Sequence, residues 1–383
     1  MRIAVVGAGI GGLTATAFLL RDRHDVHVFE SASSLGDVGA GIQVSPNGVR
    51  ILDDLGALDD LNRIGVRPSR IVIRRWDDDR ELNVMPLGET AEERWGHPYF
   101  NVYRPDLISL LAALSDEATF HYASKIRDVV IDDREPTLIL ENGESFVADL
   151  VIGADGIHSR VRDSLHGRLP TRFRNLVAHR ALGPRAAVPD VPVEVTNRLG
   201  PGGHIVSYFV GKDARFLNLV CISDDPDWDV ESWNEPGDPD ALRNRYATWS
   251  PPIRRILDHV DRGVFRWALH DREPLSSWSH GAVTLLGDAC HPMVPFMAQG
   301  ACQAMEDAAA LARCLRTLES TTLALTEYEK ERRTRTATIQ GRSFANATMF
   351  HLDDGPEQVT RDSMFTNSDA EAALGRFDWL YRP

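Results

Sequence analysis

The sequence has few cysteines and no long apolar run. The cysteines show no CxxC pair or other metal-ligand spacing, which argues against a disulfide framework or a metal site and favours buried, reduced thiols in a cytoplasmic protein. They are Cys221, Cys290, Cys302 and Cys314. No stretch reaches the roughly 18 apolar residues that a membrane helix needs. The apolar N-terminus contains a glycine cluster and lacks the basic start of a signal peptide.

Basic residues are also scarce relative to acidic ones. Lys and Arg number 42 against 56 Asp and Glu, giving a formal net charge of −14. A nucleic acid or an anionic membrane as the main partner requires a basic surface, so both are disfavoured. The local field in a cleft can still be positive. With 43% hydrophobic and 26% charged residues, the 383-residue chain is typical of a globular protein with one large or two small domains.

The order of periodic segments predicts an α/β fold. A strand over 2–6, a glycine-rich turn, a helix over 13–21 and a strand over 26–29 form the opening βαβ unit of a doubly wound sheet. Segments 71–76 and 216–223 alternate with a period near two, and the Pro- and Gly-rich region 170–270 predicts a mainly antiparallel second layer. Helical character returns after Gly300. The predicted parts are a Rossmann-like nucleotide-binding domain (1–70, 100–168 and 270–340), a β-sheet substrate domain (71–99 and 169–269) and a C-terminal helical segment (341–383).

The glycine-rich turn has the spacing of a dinucleotide site. Gly7, Gly9 and Gly12 form GxGxxG between a strand and a helix, and Glu30 ends the next strand. The glycines permit a tight turn, close approach of a pyrophosphate and close packing of helix on strand, while a helix N-terminus favours the phosphate charge. A carboxylate at the position of Glu30 can accept hydrogen bonds from a ribose diol. The motif does not distinguish FAD from NAD, and a structural turn with a surface glutamate is the alternative.

Two later strands also end in glycine and carboxylate. Residues 151–153 lead into Asp155-Gly156, with Ser159 and Arg162 beyond. Residues 282–286 lead into Gly287-Asp288-Ala289-Cys290-His291-Pro292, followed by Gln299-Gly300 and a helix that carries Glu306-Asp307. The carboxyl ends of parallel strands are where an α/β sheet binds its ligand. Taken alone, Asp288 has a helix N-cap as the alternative, and each motif by itself is weak.

Together, in this order and spacing, the three motifs resemble the single-component FAD-dependent aromatic hydroxylases of the p-hydroxybenzoate hydroxylase class. The resemblance covers nearly the whole chain and is greatest for the salicylate, 3-hydroxybenzoate and 6-hydroxynicotinate monooxygenase branch. It implies a set of cofactor-binding residues, with the ADP half of FAD on the first βα turn, Asp155-Gly156 serving flavin and nicotinamide nucleotide, and Gly300-Ala301 presenting backbone N–H groups to the flavin ring. The implied residues are Gly7, Gly9, Gly11, Gly12, Glu30, Ser31, Gln43, Arg104, Ile126, Asp155, Gly156, Asp288, Gly300 and Ala301. For Arg104 an ordinary surface ion pair is the alternative.

In this family the antiparallel layer covers a cavity over the flavin, and the matching stretch here is 203–209. On a strand, His204, Val206 and Tyr208 face the same way. We therefore predict His204 and Tyr208 as catalytic residues, Tyr208 acting with His204 as general base or relay for a ring hydroxyl. The predicted substrate-binding residues are Val206, Val220, Pro295 and Phe296. A histidine and tyrosine that merely pack under the sheet are the alternative, and the sequence does not place His179 or Arg180.

Two positions depart from the 6-hydroxynicotinate enzymes, where histidine is expected instead of Gln43 and Phe296. This disfavours 6-hydroxynicotinate itself as the substrate, so the prediction stops at a small aromatic compound, such as a phenolic or hydroxypyridine carboxylate.

The resemblance implies that NADH or NADPH reduces FAD, and that O2 then adds at flavin C4a to give an electrophilic hydroperoxide. A second GxGxxG is missing, so the nicotinamide nucleotide is predicted to dock transiently on the flavin domain. Alternatives are an oxidase or dehydrogenase on the same fold, a flavin-binding regulator, and urate-type or natural-product-tailoring substrates. A monomer and a homodimer are both compatible with the sequence.

Overall fold

The structure is a computed structural model that describes residues 1–36, 40–230, 235–260 and 263–382. The strands, numbered in chain order, are β1 (Arg2–Val6), β2 (Asp25–Phe29), β3 (Gly41–Val44), β4 (Arg70–Arg75), β5 (Glu81–Pro86), β6 (Phe100–Tyr103), β7 (Thr119–His121), β8 (Ile126–Val130), β9 (Thr137–Leu140), β10 (Ser145–Val147), β11 (Leu150–Gly153), β12 (Arg172–Pro184), β13 (Val195–Gly200), β14 (Gly203–Val210), β15 (Phe216–Asp224), β16 (Phe265–Asp271), β17 (Ser279–His280) and β18 (Val283–Leu285). The helices are α1 (Ile10–Arg21), α2 (Pro46–Asp54), α3 (Leu58–Ile64), α4 (Glu89–Trp95), α5 (Arg104–Ala113), α6 (Arg160–His166), α7 (Pro239–Arg245), α8 (Pro251–Asp258), α9 (Gly300–Thr317), α10 (Thr321–Phe350), α11 (Pro356–Thr366), α12 (Ala370–Gly375) and α13 (Asp378–Tyr381).

The first layer is a six-stranded sheet in the order β17-β18-β11-β1-β2-β7. Its strands pair in parallel, apart from the antiparallel pair β17 and β18. Such a sheet is buried on both faces, which explains why Ile3 to Val6 are all apolar and buried. The first βαβ unit therefore has the predicted Rossmann-like form, and the three predicted ligand-binding turns follow the carboxyl ends of the neighbouring strands β1, β11 and β18.

The second layer is a seven-stranded sheet in the order β16-β12-β15-β14-β13-β4-β5. All pairs are antiparallel except β4 with β13, which is parallel. On one face, Ile205 and Phe209 of β14 share an apolar core with Tyr246 and Ile253 from the α7 and α8 region. The alternation of a strand therefore turns the even-numbered residues of β14 toward the other face. The α/β fold with a mainly antiparallel second sheet is confirmed.

C-terminal helices complete the molecule, as predicted. Helix α10 runs without interruption through the predicted domain boundary between residues 340 and 341, and its last residue, Phe350, packs against His204 of β14. Within the described residues, no helix is both long enough and apolar enough to cross a membrane. All four cysteines are buried and unpaired with one another.

Candidate active site

The glycine-rich turn is tightly fitted at two glycines and open at the third. At Gly12 a Cβ would lie 2.0 Å from the carbonyl oxygen of Gly7, and at Gly7, whose φ is +102°, it would lie 2.5 Å from the carbonyl oxygen of Ala154. At Gly9 a Cβ would meet nothing within 4 Å. The outer glycines are therefore required by protein packing, while the middle one borders open space at the start of α1.

Glu30 lies directly against this turn. One of its carboxylate oxygens accepts a hydrogen bond from the Ala8 N–H at 2.9 Å, and the other accepts from the Ala32 N–H at 2.8 Å and the Ser31 hydroxyl at 3.1 Å. The backbone of Ser124, two residues before Ile126, donates to the Glu30 carbonyl at 2.8 Å. The Ile126 side chain itself is buried in the core of the first layer. Glu30, Ser31 and the residues just before β8 thus lie next to one another beside the glycine-rich turn.

The turn after β11 carries Asp155, a carboxylate with only one of its two oxygens hydrogen-bonded. Asp155 Oδ2 accepts from the N–H of Arg160 at 2.7 Å, but its buried Oδ1 has no hydrogen-bond partner. Burial raises the pKa of Asp155, opposed by hydrogen bonds from Ser159 and the backbone. Gly156 has a φ of +74° and open space where a side chain would be. Arg162 is buried and donates to the carbonyls of Ile157 and Ala289, which ties this turn to the one after β18.

The turn after β18 carries Asp288 in a short 3-10 helix, Gly287–Ala289, so the N-cap alternative is wrong. Burial raises the pKa of Asp288, opposed by His291 and Arg104, although its side chain is open to solvent. We call the sheet edge formed by the turns after β1, β11 and β18 the groove, and Asp288 is an accessible carboxylate on it. Arg104 begins α5, and burial lowers its pKa, opposed by the carboxylate of Asp288. A Cβ at Gly300, the first residue of α9, would lie 3.9 Å from Asp288 Oδ1.

A strip of partly exposed residues crosses the seven-stranded sheet. Arg180, Val220, Val206 and Asn197 are directly paired across β12, β15, β14 and β13, so their side chains share one face. All four are partly exposed, whereas the next row, Ala178, Ile222, His204 and Leu199, is buried. The strip is therefore more accessible than the row that contains His204. Asn197 Oδ1 is buried there without a hydrogen-bond partner.

Tyr208 borders the strip on one side. It is 5% exposed and packs on Gly41 of β3, where a Cβ would lie only 2.6 Å from the Tyr208 ring. The Gly41 N–H donates to Asn218 Oδ1 at 2.7 Å. Arg180 lies close enough to lower the pKa of Tyr208, but burial dominates and raises it above its usual range.

His204 borders the strip on the other side, two residues from Val206. Its ring is 1% exposed and lies between Phe296 and Phe350, with centroid distances of 5.1 and 5.2 Å. His204 Nδ1 is 2.7 Å from His351 Nε2. His204 and Tyr208 share a face as predicted, yet they flank Val206 about 13 Å apart along the strand. Their contacts differ, so each needs a role of its own.

The remaining predicted residues lie around these features. Gln43 is on β3, and its side-chain oxygen accepts from the Tyr99 hydroxyl at 2.8 Å. Pro295 is exposed and Phe296 is buried beside His204. Gly11 packs on Leu286 and Ala304, which brings α1 and α9 together, and Ala301 is partly buried in the first turn of α9.

The chain is similar to known flavoproteins over its whole length. Residues 1–343 match the model of the FAD binding domain family. A 3-amino-4-hydroxybenzoate 2-monooxygenase from Streptomyces cremeus is 40% identical over 386 residues, covering 100% of this chain and 95% of the relative. A 6-hydroxynicotinate 3-monooxygenase from Pseudomonas fluorescens is 36% identical over 353 residues, covering 90% and 91%. The chain belongs to the FAD-dependent aromatic hydroxylases.

Solved structures agree with this assignment. Klebsiella pneumoniae HpxO, complexed with FAD and uric acid, superposes with a TM-score of 0.88 at 26% identity, covering 100% of this chain and 96% of HpxO. A salicylate hydroxylase substrate complex has the same fold, with a TM-score of 0.84 at 23% identity and coverage of 100% and 95%. The predicted family branch is confirmed. The hydroxylase is an FAD-dependent monooxygenase with NAD(P)H and O2 as co-substrates.

The residues of the groove fit FAD. Open space at Gly9 and Gly156 allows a pyrophosphate to approach the backbone, and the N-terminus of α1 favours its charge. The orphaned Asp155 Oδ1 and the accessible Asp288 offer acceptors for hydroxyl groups. These features lie on consecutive turns of one sheet edge, where a dinucleotide can span them.

Gly9→Ala tests this fit without disturbing the fold. Gly9 has φ −78° and ψ −176°, which alanine adopts readily, and the added methyl meets no protein atom. We expect FAD-free protein of unchanged stability and a rise in the FAD dissociation constant of about tenfold or more, equivalent to about 1.4 kcal/mol. Flavin fluorescence titration measures it. Gly12→Ala is the contrasting variant, because its Cβ strikes backbone and should destabilise the protein with or without FAD; equal FAD affinity in Gly9→Ala and wild type would contradict the assignment.

A buried polar network supports the flavin turn, and sequence reasoning did not assign it a role. Arg332 of α10 donates to Asp307 at 2.7 Å, Glu306 at 2.5 Å and Gln303 at 2.6 Å, all within α9. Asp307 also lies 2.5 Å from His291, and nearby Arg332 and His291 hold the pKa of Asp307 at about 2 against the effect of burial. Asn47 of α2 donates to Glu306 and Gln299. The network fixes the start of α9 relative to the turn after β18.

Arg332→Met should therefore destabilise the whole enzyme. Removing the cation breaks a buried ion pair with Asp307 and Glu306, which costs about 3–5 kcal/mol even though Arg335 still pairs with Glu306. Chemical denaturation of the FAD-loaded enzyme measures the loss. The matched control is Arg333→Met on the same helix, because Arg333 pairs with Glu329 at 3.0 Å with a 43% exposed side chain and should contribute less than about 1 kcal/mol. Equal losses in both variants would show that the network carries no special stability.

Proposed function

We propose that the enzyme hydroxylates an aromatic carboxylate that also carries a ring hydroxyl, with an aminohydroxybenzoate as the first candidate. The observation that carries this proposal is the accessible strip, in which a single cation, Arg180, borders two valines. An apolar floor suits an aromatic ring, and a cation at its end suits a carboxylate. The name of the Streptomyces relatives, 3-amino-4-hydroxybenzoate 2-monooxygenase, describes such a compound.

The charge around Arg180 supports an anionic ligand. Burial, and then repulsion by Arg104, lowers the pKa of Arg180 to about 9, which leaves it charged at neutral pH. Its guanidinium carbon lies 3.7 Å from the centroid of the Trp267 ring, which orients the planar group on the sheet. Two arginines facing one cavity raise its potential, although the whole protein is acidic. A bound carboxylate reduces the repulsion between Arg180 and Arg104.

We assign separate roles to the two predicted catalytic residues. Since burial keeps the Tyr208 phenol protonated, it acts as a hydrogen-bond donor to the substrate oxygen rather than as the base. Burial, followed by the neighbouring His351, holds the pKa of His204 well below its usual range, so its imidazole is neutral and keeps one unprotonated ring nitrogen as an acceptor. FAD, when bound, supplies the oxygen-activating chemistry. The protein binds and orients the substrate, excludes water and takes up the proton of the ring hydroxyl.

The cofactor assignments remain part of this proposal. Gly7, Gly9 and Gly12 with Glu30 and Ser31 hold the ADP half of FAD, and Asp155, Gly156, Asp288, Arg104 and Gly300-Ala301 hold the flavin half. The same proposal includes the predicted domain ranges, a cytoplasmic location and a monomeric or homodimeric state. It also includes Gln43 and Ile126 as cofactor-binding residues and Pro295 as a substrate-binding residue. Light scattering of the FAD-loaded enzyme measures the oligomeric state.

A substrate screen tests the proposal. The panel is 3-amino-4-hydroxybenzoate, 3-hydroxybenzoate, salicylate, 6-hydroxynicotinate and urate, each aromatic acid paired with its carboxamide. We expect NADH or NADPH oxidation coupled to a product one oxygen heavier, for a hydroxybenzoate and not for its amide. Coupled turnover of urate, or of the amide as fast as the acid, contradicts the proposed substrate class. O2 uptake with substrate but without NAD(P)H would instead favour the oxidase alternative.

A further inference from the structure

A chain of three side chains leads from His204 to the protein surface. His204 Nδ1 lies 2.7 Å from His351 Nε2, and His351 Nδ1 lies 2.6 Å from Asp224 Oδ1. Exposure rises along the chain, because the side chains of His351 and Asp224 are 6% and 52% exposed. The three residues come from β14, the end of α10 and the end of β15. Sequence reasoning singled out neither His351 nor Asp224, since 147 and 20 residues separate them from His204.

The outer end of this chain opens into a surface cavity of about 890 Å³. The cavity is lined by both His351 and Asp224, together with charged residues that include Arg174, Asp353 and Glu357. The inner end is beside the accessible strip, because His204 and Val206 are two residues apart on one face of β14. The three groups therefore bridge the proposed substrate cavity and a separate opening to solvent.

With His351 neutral, the hydrogen bonds fix the tautomers of both histidines. The carboxylate of Asp224 can only accept, so His351 Nδ1 carries the proton that it receives. A neutral His351 then has an unprotonated Nε2, which accepts a hydrogen bond from His204 Nδ1–H. The neutral His204 is left with Nε2, the ring nitrogen that does not bond His351, as an acceptor. The surface carboxylate of Asp224 thus determines which ring nitrogen of the buried His204 is unprotonated.

We propose that His351 and Asp224 are positioning and relay residues that keep His204 Nε2 basic and conduct the substrate proton to solvent. This inference rests on the proposed function, in which a ring hydroxyl gives up a proton. The proton goes to His204 Nε2, His204 passes its Nδ1 proton to His351 Nε2, and His351 passes its own Nδ1 proton to Asp224, which releases it at the cavity. The two imidazoles end neutral with both tautomers reversed, and ring rotation or the reverse passage of a proton resets them. No electron is transferred.

The first test reads the tautomers directly and needs no substrate. In FAD-loaded enzyme labelled with ¹⁵N-histidine, His204 and His351 should both appear as neutral rings protonated at Nδ1, and Asp224→Asn should shift the His351 and His204 signals together. Resonances are assigned with His204→Gln and His351→Gln. A His204 signal that is protonated at Nε2, or unaffected by Asp224→Asn, overturns the inference even if the enzyme hydroxylates a benzoate.

The second test measures turnover with the hydroxybenzoate selected by the screen. His351→Ala should lower the rate of product formation in a single turnover about tenfold or more, with KM and FAD content within about twofold of wild type. Since His351 lines an open cavity, added imidazole should restore part of the rate. The matched control is His270→Ala, because His270 bonds Thr171 and the Asp229 carbonyl near an edge of the same sheet.

The outcomes of the two tests separate the inference from the proposed function. An unchanged rate in His351→Ala, a loss that imidazole does not rescue, or an equal loss in His270→Ala overturns the relay. If no hydroxybenzoate is turned over by wild type, the proposed function fails, and the histidine spectra still decide whether Asp224 sets the tautomer of His204.

Discussion

Arg180→Met is expected to raise the KM for an aromatic carboxylate about a hundredfold, with FAD binding unchanged. Truncating one partner of a buried charge pair costs about 2–5 kcal/mol, and each 1.4 kcal/mol is a factor of ten. The change removes the Arg180 cation from the strip that it forms with Val206 and Val220, while Trp267 and the sheet stay in place. Arg180→Lys should lie between the two, because an ammonium keeps the charge but loses the planar stacking on Trp267.

A double-mutant cycle separates charge pairing from general damage. Wild type and Arg180→Met are each measured with the acid and with its carboxamide, and the coupling between the two changes is the energy of the pair. We expect the amide to be a poor ligand of both enzymes, with nearly the same KM. Arg185→Met is the matched control, since Arg185 stacks 4.9 Å from the Phe209 ring centroid, and Phe209 belongs to the opposite face of the sheet. A coupling energy near zero would show that Arg180 does not bind the substrate carboxylate.

The first layer could be predicted from sequence because its signals are local. About ten consecutive residues are enough to recognise each of three features, the GxGxxG turn, the buried strand β11 and the Asp288 turn. The parallel pairing of β1, β11 and β18 then places their carboxyl ends at one edge of the sheet. The steric reason for Gly12 is equally local, since its Cβ would strike the carbonyl of Gly7. Local patterns also predicted the alternation that places His204, Val206 and Tyr208 on one face.

The substrate side could be predicted only in part because it depends on register. Arg180 joins Val206 through the pairing of β12 with β15 and of β15 with β14, and no periodicity within β12 reveals that alignment. His351 and the Arg332 network depend on the packing of α10 over 30 residues, which sequence periodicity does not orient on the sheet. The sequence also suggested that His204 and Tyr208 act together, whereas the spacing of the strand keeps them apart.

Tyr208→Phe is expected to lower the rate of product formation about a hundredfold while KM and FAD content change little. Tyr208 is buried beside Arg180 and Gly41, and its hydroxyl is the proposed donor to the substrate oxygen that becomes negative as the ring reacts. Loss of one preorganised donor of this kind typically costs about 10²–10³ in rate. Phenylalanine fills the same space against Gly41, so the fold and the FAD groove should be preserved.

The pH dependence distinguishes a donor from a base at this position. Burial raises the pKa of Tyr208, so the phenol stays protonated across neutral pH, and the wild-type rate should show no rise from tyrosine ionisation between about pH 7 and 9. Tyr246→Phe is the matched control on the opposite face of the sheet, where the hydroxyl donates to the Ile222 carbonyl at 3.3 Å. That variant should lose at most about 1.5 kcal/mol of stability and none of the rate. A Tyr208→Phe enzyme as fast as wild type would show that the Tyr208 hydroxyl does not contribute to the rate, and it would leave His204 as the residue of β14 proposed to act on the substrate hydroxyl.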